Sequence, residues 1–182
     1  MKKNNFTSLS TIVQTGDLLF ASGDSIISTL IKKFTFGETN HVGLVYDRHN
    51  IFETDIKWGK AQLHPIDRYN DKKVLIVRPM FLEDHRAVQK LCEKYDKTPY
   101  SYIDIVTNAI FAPLHDELRK RMVRLIGTKK FAICSELTAK IIHEASGYQP
   151  FSKYEGLTPQ DILMITRLGS DHWKVLVDRF SE

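Results

Sequence analysis

Two side chains in this sequence are best suited to covalent chemistry. Cys134 lies in FAICSELTAKIIHEA, just ahead of a run of helix formers, and His41 lies in the alternating apolar segment TNHVGLVY. A thiol attacks a carbonyl as its thiolate, a form favoured by the first backbone N–H groups of a helix and by a neighbouring imidazolium. The same amides can donate to the oxyanion of a tetrahedral intermediate. The gap of about ninety residues is no obstacle, because catalytic thiol and imidazole are neighbours in space rather than in sequence. Glu136, in the first helical turn, suits the helix dipole but opposes a thiolate unless it points away. Cys134 also has an ordinary explanation, as a core cysteine between a strand and a helix.

Strand parity organises the rest of the constellation. In TNHVGLVY, Val42, Leu44 and Tyr46 share one face, and His41, Gly43 and Val45 share the other. Gly43 leaves space beside the imidazole, which suits close approach by another backbone or by substrate. A hydrogen-bonded structural histidine is the competing explanation. His49 sits in a turn and His64 precedes a proline, so neither has a comparable setting. A catalytic histidine needs a third group to fix its tautomer and stabilise its charged form. Glu53 and Asp55, on the next strand, are the candidates. Glu53 joins the His41 face if the connecting loop holds an odd number of residues, and the opposite face if the number is even.

Competing chemistries find little support. There is no CxxC, HxxxH or HExxH spacing for a metal, and the nine glycines are dispersed rather than gathered into a phosphate-binding loop. No metal and no cofactor is therefore expected. The basic stretch Arg119, Lys120, Arg121 and Arg124 has no interleaved aromatic residues to stack bases, so a nucleic-acid partner is not expected despite the formal charge of +4. With two cysteines the chain is not a disulfide framework, and Cys92, spaced with Val88, Leu91 and Tyr95, reads as a buried small hydrophobe. No signal peptide or run of about 18 apolar residues is visible, so the expectation is a protein without an integral membrane segment, cytoplasmic or exported by a route the sequence does not show.

The elements that must position these groups follow from periodicity. At 182 residues, 42% hydrophobic and 26% charged, the chain has the size and composition of one globular domain spanning 1–182. A polar lead-in covers 1–15. Leu18 to Ala21 reads as a buried strand, and Ser25 to Phe34 as a helix ending at Gly37. Strands are expected at 41–46 and 51–56 around the turn DRHN, then near 61–66 and at Val74 to Arg78. From about Glu83 the period changes to 3.6, giving a helix to about Lys97, and further helices are expected between Pro99 and Pro113, up to about Ile126, and after Cys134. Thr158, Pro159 and Asp161 mark a helix start, and WKVLVDRF a closing strand. Strands first and helices second argue for an α+β domain.

Taken in order, GDLLF, NHVGLVY, IFETD, FAICSELT and LTPQDI resemble the circularly permuted papain-like group of the NlpC/P60 superfamily, in its YiiX/YaeF-like branch. The resemblance spans Gly16 to about Ile165. It implies a papain-like α+β fold with an antiparallel sheet packed against helices, in which the histidine strand precedes the nucleophile helix. It further implies Cys134 as nucleophile, His41 as base and Glu53 as orienter. Tyr100 or Tyr102, in PYSYIDI, is expected to line the substrate cleft with Gly43 and Ser135, although Ser101 and Ile103 depart from the acidic residue the family places after its tyrosine. The stretch 113–130 matches nothing in the family and reads as a variable insert or a surface helix. The activity implied is a cysteine hydrolase of amide or ester bonds acting through an acyl-enzyme, on a peptidoglycan-type peptide or a lipid acyl group. The alternatives are an acyltransferase and a non-catalytic lipid- or peptide-binding module on the same fold.

Overall fold

The computed structural model describes residues 8–23, 37–55, 59–99, 134–151, 157–169 and 171–181. The helices expected at 25–36 and between 99 and 126, the stretch 113–130, and the approach Phe131 to Ile133 lie outside these residues.

Six strands form one antiparallel sheet: β1 (Leu18–Ala21), β2 (His41–Val45), β3 (Asn50–Asp55), β4 (Lys60–Pro65), β5 (Val74–Pro79) and β6 (Trp173–Asp178), in the spatial order β4-β3-β2-β1-β5-β6. Three α-helices are present among the described residues: α1 (His85–Lys94), α2 (Cys134–Ser146) and α3 (Pro159–Leu168). The domain is α+β, as the order of strand and helix patterns predicts.

Both faces of the sheet are buried, which is why β1 and β5 read as continuous apolar runs rather than alternating ones. On one face Leu18, Phe20, Val42, Leu44, Phe52, Leu75 and Val77 pack against Val88 and Cys92 of α1, Leu137, Ile141 and Ile142 of α2, and Ile162 and Leu163 of α3. On the other, Leu19, Ala21, Val45, Ile51, Val74 and Ile76 are covered by Leu9, Val13, Ile66 and Tyr69. These covering residues lie in or beside two short 3-10 turns, Leu9–Thr11 and Ile66–Tyr69, which the sequence patterns do not foretell.

The helix ends follow local chemistry. Asp84 caps α1 by accepting from the Ala87 amide at 2.9 Å, and Thr158 and Asp161 form a reciprocal capping box on α3 with Pro159 in its first turn. α1 stops at Lys94, short of the expected Lys97. Lys97 turns to φ 62°, and its N–H bonds the Ala61 carbonyl of β4 at 2.8 Å instead of extending the helix. The chain thereby covers part of the β4 edge, whose backbone groups would otherwise be open to pairing.

Register is the fold's main contribution to the site. Leu44 pairs with Phe52 and Val45 with Ile51. Residues 46–50 thus form a five-residue connection between paired positions, with Tyr46 and Asp47 both donating backbone bonds to the Asn50 carbonyl. A four-residue DRHN turn flanked by paired Tyr46 and Ile51 would have put Glu53 on the helix face. The observed odd number puts it with His41.

A second buried carboxylate anchors the middle of the sheet. Asp17, fully buried, receives Nε and Nη2 of Arg78 at 2.8 and 2.9 Å and the Gln14 amide at 2.9 Å. Replacing Arg78 with Met leaves that carboxylate without its cation, and urea unfolding is expected to register a loss of about 3 kcal/mol. A loss below about 1 kcal/mol, the range of a surface ion pair, would refute this anchoring role.

Candidate active site

His41 is the first residue of β2, and its backbone is fixed from several directions. It pairs with Ala21 of β1. The buried Thr39 hydroxyl sits between the Ala21 and His41 carbonyls at 2.8 and 3.0 Å, and the Asn40 side chain accepts from the Gly23 amide at 2.9 Å. The imidazole leaves 21% of its side chain exposed, enough to be reached from solvent.

One ring nitrogen, Nε2, lies 2.5 Å from Oε2 of Glu53. Glu53 has no exposed side-chain surface, and two further donors reach it: the Tyr69 hydroxyl at 2.6 Å from Oε2 and Nη1 of Arg68 at 3.1 Å from Oε1. The Cys134 side chain lies close enough to the His41 ring to act on its charge. The two residues meet at the ends of their elements, His41 opening β2 and Cys134 opening α2.

These contacts set the charges. Burial pushes His41 toward its neutral form, but the Glu53 carboxylate, the neighbouring Cys134 side chain and the hydrogen bond to Glu53 outweigh it, raising the imidazole pKa from 6.5 to about 10. Burial likewise disfavours the Glu53 charge. The charge and hydrogen bond of His41, the Tyr69 hydroxyl and the Arg68 guanidinium overcome that and hold the carboxyl below its ordinary value. A buried thiol beside an imidazolium backed by a carboxylate can act as a nucleophile with its own proton carrier.

No protein-family model matches the chain, and no curated protein matches it. Among solved structures it is similar to the crystal structure of metalloprotein yiiX from Escherichia coli O157:H7, with 16% identity, a TM-score of 0.57, and coverage of 92% of this chain and 89% of that one. The fold is YiiX-like.

Within this YiiX-like fold the sequence-derived site residues divide. His41, Cys134 and Glu53 come together. Gly43 does permit a close approach, by the protein itself: a Cβ there would lie 2.7 Å from Ile51 Cδ1 and 3.3 Å from Glu53 Cβ. Ser135 is fully buried and its hydroxyl donates to the Leu157 carbonyl at 2.5 Å, tying α2 to the entry of α3. That hydroxyl is committed to a contact within the fold. Tyr100, Tyr102 and the Asp55 side chain lie outside the described residues.

Tyr69 and Arg68 escaped sequence reasoning. They sit in the short polar turn IDRY, which carries no periodicity. The signal that could have found them is the demand of a buried carboxylate for donors, applied to the first turn after β4. The other thiol, Cys92, is fully buried in α1, and burial, with the nearby Glu93 charge, pushes it up to about 12.

The pair makes stability pH-dependent with a definite sign. The His41 contribution is fully present below its ordinary value of 6.5 and is lost as pH rises toward about 10; the Glu53 contribution is present above 4.5 and is lost as pH falls through its lowered native value. The difference in unfolding free energy between wild type and His41→Gln should therefore be greatest between pH 4.5 and 6.5 and shrink steadily toward pH 10. A constant difference across the alkaline range would show that the imidazole is not held protonated.

Proposed function

We propose that this chain is a cysteine-dependent hydrolase of amide or ester bonds, built as a permuted papain-like domain of the NlpC/P60 type. The observation that carries this is the His41 ring bonded to the buried Glu53 with the Cys134 side chain in its immediate neighbourhood. The order of elements, histidine strand before cysteine helix, is the one the sequence resemblance implies.

In this reading the Cys134 thiolate bonds to the substrate carbonyl carbon, and the oxyanion is received by first-turn amides of α2, that of Ser135 included. Collapse of the intermediate breaks the C–N or C–O bond while the His41 imidazolium gives its proton to the leaving group. Neutral His41 then takes a proton from water as the oxygen attacks the thioester, and the sulfur departs as thiolate. Glu53 keeps the ring oriented and supports its charged form throughout. The substrate is a peptidoglycan-type peptide or a lipid acyl group, with Tyr100 and Tyr102 proposed to line its cleft.

The solved neighbour is described as a metalloprotein. The residues of this site do not fit a metal. Nε2 of His41 and Oε2 of Glu53 face each other at 2.5 Å rather than converging on a common point, and a guanidinium, which would repel a cation, bonds the same carboxylate. Among the described residues, no group of three or more His, Cys, Asp or Glu could hold a metal ion. No step is therefore assigned to one. No described helix is long and apolar enough to cross a membrane.

Intact-mass analysis after incubation with acyl esters, lysophospholipids and muropeptides is expected to trap an acyl adduct on wild type and none on Cys134→Ala. Turnover by His41→Ala should fall about 10²- to 10⁴-fold, the usual scale for losing a general acid–base. No adduct and no Cys134-dependent turnover across the panel would favour the non-catalytic binding module instead.

Thiol reactivity gives an independent check. At pH 7 a thiol with a pKa of about 12 is ionised to roughly one part in 10⁵. Iodoacetamide should consequently modify Cys134 long before Cys92, as read by peptide mapping, and the reverse order would count against an activated Cys134.

A further inference from the structure

The orienting carboxylate is itself oriented. Glu53 receives three donors from two other parts of the chain: His41 from β2, and Tyr69 and Arg68 from the turn Ile66–Tyr69. We propose that Tyr69 and Arg68 are positioning residues that fix Glu53 as an ionised carboxylate aimed at His41. This rests on the reading of Cys134, His41 and Glu53 as a catalytic chain.

The geometry distinguishes this arrangement from incidental packing. The Tyr69 hydroxyl meets the same oxygen as His41, Oε2, while Arg68 takes Oε1. Donors on both oxygens fix the carboxylate plane, so Oε2 cannot swing away from the imidazole without breaking one of them. A buried carboxylate with only an imidazole for a partner can exchange ion pair for neutral pair by moving one proton. Two further donors favour the ionised form, and the guanidinium cannot supply a proton.

The turn that delivers these donors is held by the fold. The Ile66 amide bonds the His49 carbonyl at 2.8 Å, Asn70 closes the turn onto Asp67 at 3.1 Å, and the Asn70 side chain accepts from the Leu9 amide at 3.1 Å. The Asn70 carbonyl also accepts from Arg179. The Tyr69 ring is buried with Val45, Ile51 and Ile66, so core packing, rather than the hydrogen bond alone, determines where its hydroxyl sits. The other polar groups near Glu53 are Gln62, paired opposite it on β4, and His64, which lies 3.1 Å from the Gln62 amide nitrogen. Lys72 lies over the Tyr69 ring, 5.0 Å from its centroid.

The test follows the Glu53 carboxyl directly, by its ¹³C shift across the acid range, in the full-length protein, alongside the pH profile of Cys134 alkylation by iodoacetamide. Tyr69→Phe removes one hydroxyl and preserves the packed ring; Arg68→Met removes the charge, and Arg68→Lys retains it. The Glu53 midpoint is expected to rise by about one unit in Tyr69→Phe and in Arg68→Met, which is about tenfold less ionised carboxylate below the midpoint. It should rise further in the double variant and return toward wild type in Arg68→Lys. The acid limb of Cys134 alkylation should move with it.

Unchanged carboxyl midpoints in folded Tyr69→Phe and Arg68→Met would overturn the proposal. So would a shifted midpoint with an unshifted alkylation profile, which would leave the two residues a purely structural part. Neither readout requires turnover. The clamp and the hydrolase reading therefore fail separately: absence of any acyl adduct removes the second, while the carboxyl titration still decides the first.

Discussion

A carboxylate buried on the inner side of a sheet is the constraint around which this molecule is arranged. Removing Glu53 from water disfavours its charge, and that cost is met only because His41, Tyr69 and Arg68 all reach it. Each comes from a separately determined piece of structure. β2 must pair with β3 in one register, and the chain after β4 must turn back immediately to lay Ile66–Tyr69 across the same face. A slip of one residue would turn Glu53 to the helix-bearing face, against the apolar Val42 and Leu44. The same interaction that supports the candidate chemistry thus also penalises the wrong sheet.

The two faces of the sheet divide the labour. The helix-bearing face is large and apolar, and it packs α2 over the sheet through Leu137, Ile141 and Ile142. The other face is smaller, and its apolar residues Val45, Ile51, Ile76 and Ile66 surround the polar cluster at one end. His41 stands where the two meet, at the first position of β2, and so does Cys134 at the first position of α2. Element ends suit this purpose. A mid-strand side chain can address one face only, whereas a residue at a strand terminus has room to contact a group from the layer beyond.

Much of this was legible in the residues themselves. The alternation in TNHVGLVY, the helix pattern after Cys134 and the capping signature Thr158, Pro159 and Asp161 each encode local structure, and the strands and helices stand close to where those patterns place them. Register was not legible, because it depends on whether Tyr46 or Val45 is the last paired residue, a difference of one position in a loop whose Asp47 and Asn50 suit either turn. The protein contacts made by Gly43 and Ser135 were not legible for a related reason. Sequence shows that a glycine leaves room and that a serine can donate, but not that Ile51 fills the room or that the Leu157 carbonyl takes the hydrogen bond. Arg68 and Tyr69 were hidden because a four-residue 3-10 turn has no period to detect.

The likeness to a solved structure at 16% identity establishes how the chain folds and leaves open what it does, since one fold hosts many activities. Any functional argument must therefore rest on the charge states within the site. Burial acting alone would leave an imidazole in this position neutral at neutral pH. Only its partners, Glu53 and the neighbouring Cys134, raise the His41 pKa to about 10. Its charge is consequently a property of the assembled group, created when β2, β3 and α2 come together and absent from any one of them. A histidine kept for packing or for a single hydrogen bond has no need of a buried, triply bonded carboxylate behind it. One that must carry a proton beside a thiol does, and that difference in requirement is the strongest physical argument for a nucleophilic site at Cys134.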